Sequence, residues 1–180
     1  VQIEQQRAIQ EVQAALVIAR RFPRDQNQAY QRIITACKRK SLAEQSMYAY
    51  PRKGANITGP SIRLAEMLAQ NWGNIQAGTR ELSQDQGYSE VEAYAWDLET
   101  NTRISKQFHV SHRRKAGDIY RELEDPRDIY EHVANMGARR LRACILQIIP
   151  GDIVEAAVRE CEKTLASGGG EPIEDRIRKM

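Results

Sequence analysis

Three strand-like segments follow one another at residues 75–82, 88–97 and 102–111, joined by turns of only five and four residues. Connections this short join antiparallel strands, because a parallel crossover needs a dozen residues or more. In the third segment Ile104, Phe108 and Val110 alternate with polar residues, which is typical of a sheet with one buried face. The sequence therefore predicts an antiparallel meander with one face free to pack against helices.

Helical sequence flanks this meander on both sides. Apolar periodicity and cap residues predict helices at 3–21, 25–40, 59–72, 126–149 and 152–167, and one further turn within 41–46. Gly59 and Pro60 are expected to start the third helix, and Asp152 to cap the last one. The predicted class is α+β: a three- to four-stranded antiparallel meander packed against a long helix, with flanking N- and C-terminal helices.

A chain of 180 residues fits a single domain. We expect the domain to span 1–167, with N-terminal helices at 1–46, a sheet-and-helix core at 47–149 and a C-terminal helix at 150–167. The three glycines at 168–170 predict a flexible tail over 168–180. Residues 53–56 and 112–124 are interpreted as loops, and Met47 to Arg52 as an extended segment.

Two of the predicted helices have clear apolar sides. The first helix carries Ile3, Ala8, Ile9, Val12, Leu16 and Ile18. The long helix carries a broad stripe of Tyr130, Val133, Ala134, Gly137, Leu141, Cys144, Ile145 and Ile148. The stripe of the long helix is expected to face the sheet, while the apolar residues of the first helix follow the helical repeat only roughly.

Basic residues are clustered although the formal net charge is only +3. The clusters are Arg20, Arg21 and Arg24; Lys38, Arg39 and Lys40; Arg52 and Lys53; Arg113, Arg114 and Lys115; and Arg139, Arg140 and Arg142. In the long helix Arg139 and Arg142 project opposite the apolar stripe, and Arg140 lies near its edge. Forked arginine donors match phosphate geometry. The other interpretation is a solvated or salt-bridged helix face.

The segment from Tyr48 to Gly54 combines aromatic residues with cations. Tyr48 and Tyr50 can stack on unpaired bases while Arg52 and Lys53 hold phosphates. The alternative is that both tyrosines cover the core and the cations form a solvated turn. Arg63, on the side of the next helix opposite Leu64, Leu68 and Trp72, adds another candidate cation.

Motifs of catalysis are missing from the sequence. GxxxxGK[ST], GxGxxG and GxSxG do not occur, so no nucleotide-binding loop or nucleophile elbow is predicted. Cys37, Cys144 and Cys161 form no CxxC pair and are interpreted as buried free thiols, while His109, His112 and His132 are expected at the surface rather than on a metal. Glu90, Glu92 and Asp97 leave a metal-dependent nuclease open. We expect no catalytic residue, no metal and no cofactor.

The order of these features resembles the single-strand annealing protein superfamily, which includes the eukaryotic Rad-fifty-two annealing domain and phage recombinases of the Erf and Red-beta kinds. The likeness covers residues 47–149. It rests on Tyr48 to Arg52, on Gly59 to Trp72 and on Gly137-Ala138-Arg139-Arg140. In the simplest alignment the family's further helix cation falls on Ala143, one residue from Arg142.

The resemblance implies a function that needs no ATP: binding of single-stranded DNA and annealing of complementary strands in homologous recombination and DNA repair. Arg52, Arg139 and Arg140 would line the groove for the DNA backbone. The implied partners are single-stranded DNA, the annealed duplex intermediate, further copies of the chain in a ring or filament, and a phage exonuclease and single-strand-binding protein. A phage or prophage origin implies the cytoplasm of the bacterial host. The alternatives are the nuclease and a structural adaptor that does not bind DNA.

Overall fold

The computed structural model describes residues 2–52, 55–117 and 119–167, which form six helices and seven strands. The helices are α1 (Gln2–Arg21), α2 (Gln26–Cys37), α3 (Lys40–Ala43), α4 (Ile62–Trp72), α5 (Pro126–Ile148) and α6 (Gly151–Ser167). The strands are β1 (Met47–Arg52), β2 (Ala55–Pro60), β3 (Ile75–Asp85), β4 (Tyr88–Asp97), β5 (Thr102–Ser111), β6 (Arg113–Ala116) and β7 (Ile119–Glu122).

The central sheet is the predicted meander. Its three strands are antiparallel in the order β3-β4-β5, which confirms the α+β class. The predicted bounds of β4 and β5 are correct, while β3 runs three residues further, through an irregularity between Glu81 and Ser83, to Asp85. Gly87, with φ of +88°, permits the tight turn into β4.

Helix α5 packs across one face of this sheet. Gly137 lets the helix approach β3 closely, because a Cβ added there would lie 3.1 Å from Cγ2 of Thr79. Further along, the Cys144 thiol donates to the carbonyl oxygen of Ala93 in β4 (3.5 Å). The other side of the core is filled from α2, α4 and α6, where Ile33, Leu68 and Cys161 are fully buried.

The apolar residues of α1 are largely exposed. Ile3, Ile9 and Ile18 are exposed, and only Ala19 of this helix is buried. The apolar residues of α1 are spread around the helix rather than gathered in one stripe. In α5 the predicted stripe is wrong at Tyr130, which is 71% exposed, and at Ala134, which is also exposed.

The connection from α1 to α2 is anchored by a buried arginine. The Arg24 side chain is only 5% exposed and donates to the carbonyl oxygens of Trp72 (3.0 Å) and Gly73 (2.9 Å). It also forms an ion pair with Asp97 at 3.0 Å, and its guanidinium lies 4.7 Å from the centre of the Trp72 ring. Every side of this charge is therefore occupied by the protein itself.

Residues 55–60 form a strand, where a loop followed by a helix start was predicted. β2 pairs with β1 so that Tyr48 lies opposite Gly59, and Ala55 and Asn56 belong to the strand rather than to a loop. Helix α4 begins only at Ile62, because Ser61 is its N-cap and accepts a hydrogen bond from the amide of Leu64 (3.1 Å).

A second correction concerns residues 112–124, which were interpreted as a loop. They contain the antiparallel hairpin of β6 and β7, whose turn includes Gly117 at φ of +65°. His112 is buried at its base, not exposed as predicted, and its Nε2 lies 2.8 Å from the Ser89 hydroxyl.

Smaller differences lie at the helix ends. α2 is capped by Asp25 as predicted, but it ends at Cys37 rather than Lys40. α6 begins at Gly151, so that Asp152 lies in its first turn and is not its cap. The predicted tail at 168–180 lies outside the described residues.

Candidate nucleic-acid interface

An open cavity of about 590 Å³ lies beside α5, between this helix, the start of α4 and the base of the β6–β7 hairpin. We refer to it as the α5 groove. Its lining combines cations, polar groups and a few apolar side chains: Ile62, Arg114, Leu123, Asp128, Glu131, His132, Asn135, Met136, Ala138, Arg139 and Arg142. The groove thus brings together side chains from three elements that are separate in the sequence.

Three arginines give the groove its cationic character. Arg139 and Arg142 come from α5, and Arg114 comes from β6. Within the described ranges none of the three forms an ion pair or a hydrogen bond with the protein. Two acids also line the groove, and one of them, Glu131, is engaged by Arg127 at 3.1 Å. The donors of the three arginines are therefore open to an anion.

Arg142 is held in place by an aromatic ring. Its guanidinium carbon lies 4.0 Å from the centre of the Tyr48 ring, a distance at which cation–π attraction is effective. The ring lies close against β2, because Gly59 has no side chain to displace it: a Cβ there would lie 2.9 Å from Cε1 of Tyr48. The pairing of β1 with β2 thus fixes a cation of α5.

Arg140 points to a different part of the molecule. Its guanidinium lies 4.5 Å from the centre of the Phe108 ring on β5 and donates to the carbonyl oxygen of Met136 (3.2 Å). Arg140 thus lies against the sheet, in agreement with its predicted place near the edge of the apolar stripe, and it does not line the α5 groove as the resemblance implied. The arginines grouped in the sequence are therefore divided between two surfaces.

The structure relates the remaining predicted site residues to the α5 groove less directly. Arg63 is exposed next to Ile62 of the groove and forms a surface ion pair with Glu66 (3.2 Å). The backbones of Tyr50 and Arg52 belong to β1, but their side chains lie outside the described residues, and Lys53 lies outside them altogether. Whether these three approach the groove stays a prediction.

Two groove residues were not singled out from the sequence as candidates for the interface. Arg114 stood in a segment interpreted as a loop, although its cluster with Arg113 and Lys115 was a usable signal. His132 lies two turns before Arg139 in α5 and was considered only as a metal ligand. Asn135, predicted near the outward arginines, does line the groove.

Two of the three carboxylates of the nuclease alternative are engaged by arginines. Glu92 forms an ion pair with Arg103 (3.4 Å), and Asp97 forms one with Arg24 (3.0 Å). Over residues 2–52, 55–117 and 119–167, no group of three or more histidine, cysteine or acidic side chains is arranged to hold a metal ion. All three cysteines are buried and free, as predicted.

In the same described ranges, no helix combines the length and the apolar character that crossing a bilayer requires. Comparison of the chain with protein-family models, with curated proteins and with solved structures finds no match.

Proposed function

We propose that the chain binds single-stranded DNA along the α5 groove and anneals complementary strands without a nucleotide cofactor. The observation that carries this proposal is the set of three groove arginines whose donors are not used by the protein. Phosphates of a DNA backbone are the polyanion that such forked donors match best.

The lining of the groove supports a sequence-independent mode of binding. The described residues that line it include no phenylalanine, tyrosine or tryptophan, while cations and polar groups predominate, which favours contact with the DNA backbone over contact with the bases. Asn135 and His132 add short-range donors beside the arginines, and Arg142 is already oriented by Tyr48. Phosphates held in this way leave the base edges free, which annealing requires.

We further propose that the protein works as a homo-oligomer, in a ring or a filament. The exposed apolar residues of α1, Ile3, Ile9, Val17 and Ile18, are the surface that contact with a second copy would cover. The phage exonuclease, the single-strand-binding protein, the role in recombination and the cytoplasmic location stay predictions.

The proposal is tested with the unaltered protein and a labelled oligothymidine. Fluorescence anisotropy in a salt titration should show binding whose log affinity falls with log salt at a slope of about −2 or steeper, since each neutralised phosphate of a single strand contributes roughly −0.7. Complementary oligonucleotides should anneal faster with the protein than without it, in the absence of ATP.

Three other results would contradict the proposal. Absence of binding at about 0.05 M salt, where phosphate contacts are strongest, excludes the site. Cleavage of DNA on addition of magnesium or manganese would favour the nuclease. Stable oligomers in electron micrographs without any DNA binding would favour the adaptor.

A further inference from the structure

The β6–β7 hairpin is a projecting basic element that the function proposed above does not use beyond Arg114. All its residues whose side chains are described are exposed. Its base is fixed to the sheet, because the amide of His112 donates to Gly87 and the amide of Leu123 donates to His112 (both 2.8 Å). The hairpin is therefore an exposed arm that is anchored at its base, where Arg114 and Leu123 line the α5 groove.

The strand register assigns the charges of the hairpin to two faces. Residues directly opposite each other in an antiparallel pair project to the same side. Arg114 is paired with Arg121, so these two side chains share one face. Because Arg114 lines the α5 groove, this is the face that borders the groove.

The opposite face is arranged differently. Arg113 is paired with Glu122 and forms an ion pair with it, while Lys115 lies opposite Tyr120. One face thus contains a neutralised arginine, whereas the groove face places two arginines directly across from each other. Like charges in that position destabilise a strand pair. In the part of the chain that the structure describes, neither Arg114 nor Arg121 forms an ion pair with an acid that would relieve the repulsion.

We propose that the hairpin is the second wall of the DNA site, and that Arg114 and Arg121 together hold backbone phosphates of the strand that lies against Arg139 and Arg142. The strand then runs between α5 and the hairpin. A phosphate between the paired arginines removes their repulsion, so the face is stabilised only when DNA is bound. This inference rests on the function proposed above and assigns that function a second element, one that the resemblance does not supply.

The decisive experiment compares two variants with equal loss of charge on the same hairpin. The first variant combines Arg114→Gln and Arg121→Gln and removes the two arginines of the groove face. The second combines Arg113→Gln and Lys115→Gln and removes the two cations of the other face. Anisotropy salt titrations with oligothymidine should give a slope that is smaller by about 1.4 for the first variant, which corresponds to two phosphates. Its affinity near 0.1 M salt should be about 20-fold lower. The second variant should lose less than half as much.

Equal losses in the two variants, or an unchanged slope in the first, would overturn the hairpin proposal. If an Arg139→Gln, Arg142→Gln variant loses binding in the same assay while the hairpin variants do not, only the hairpin proposal fails. If the unaltered protein binds no single-stranded DNA, both proposals fail.

Hydrogen exchange of the unaltered protein provides a second measurement that needs no substitution. The backbone amides of peptides covering residues 113–122 should exchange more slowly once oligothymidine is added. Exchange in those peptides that is unaffected by DNA, at saturation of the protein, would also overturn the proposal.

Discussion

Arg24 and Arg139 are both arginines, but the protein surrounds them in opposite ways. Arg24 is buried, and its donors are taken by Trp72, Gly73 and Asp97. Arg139 is exposed at the α5 groove, and no described residue accepts a hydrogen bond from it. An arginine whose donors are used by the fold contributes to stability, whereas one whose donors are left open contributes to binding.

This difference is not visible in the sequence. Arg24 belongs to a cluster with Arg20 and Arg21, and the three look equivalent there. In the structure Arg20 and Arg21 are exposed at the end of α1, and Arg24 alone turns inward. Substitutions in the core or at the α5 groove should therefore show whether stability or DNA binding depends on the residue that is changed.

The largest effect is expected at the buried arginine. Arg24→Ala leaves Asp97 as an unpaired buried charge, and removal of one partner of a buried pair costs about 3–5 kcal/mol. Urea denaturation should show this loss in the free energy of unfolding. The exposed control Arg20→Ala should change it by less than about 0.5 kcal/mol. A loss below about 1 kcal/mol for Arg24→Ala would mean that the anchor is not structural.

Gly59→Ala should affect both properties, because the added Cβ pushes against the Tyr48 ring that supports Arg142. Overpacking of this kind costs about 1–3 kcal/mol in the free energy of unfolding. We expect the affinity for single-stranded DNA to fall in the same variant. Gly151→Ala is the matched control, since nothing lies within 4 Å of a Cβ at that position. Equal effects of the two substitutions would contradict the role given to the Tyr48 ring.

The smallest expected effect is a pH dependence of stability that arises in the core and not in the α5 groove. Burial raises the pKa of the Cys144 thiol above its ordinary value of 9.0. Above pH 9.0 the folded protein therefore retains a proton on Cys144 that the unfolded chain loses. The contribution of this thiol to the free energy of unfolding is complete below pH 9.0 and declines as the pH rises above it. Unfolding free energies measured between about pH 8 and 11 should decline less steeply for Cys144→Ala than for the unaltered protein.

The groove should not share this behaviour, because arginine stays charged throughout that range. DNA affinity measured on the folded protein should change little up to about pH 10. A loss of DNA binding that parallels the loss of stability would show that the two regions are not independent.

The parts of the fold that the sequence predicts well are those governed by local pattern. β4 and β5 have their predicted bounds, because their turns are short and β5 alternates between apolar and polar residues. β2 was missed, because Gly59 and Pro60 favour a helix start locally, and only pairing with the neighbouring strand β1 makes them a strand. β6 and β7 were missed, because four-residue strands rich in charge have little strand propensity.

In the candidate site, too, local geometry was predictable from the sequence and tertiary contacts were not. Helical geometry predicts that Arg139 projects away from the apolar stripe and that Arg140 lies nearer its edge. It does not predict which neighbour receives each side chain. Phe108 on β5 takes Arg140, and Tyr48 on β1 orients Arg142. Both contacts join residues far apart in the sequence, and they divide the cluster between two surfaces.

The central claim is that the α5 groove, rather than the basic charge of α5 in general, holds single-stranded DNA. The most direct measurement compares two double variants. The groove pair combines Arg139→Gln and Arg142→Gln. The control pair combines Arg140→Gln and Arg159→Gln, which also removes two charges but lies outside the groove. Salt titrations with oligothymidine should show a slope that is smaller by about 1.4 for the groove pair and nearly unchanged for the control pair. Equal changes in both pairs, or no change in the groove pair, would contradict the account.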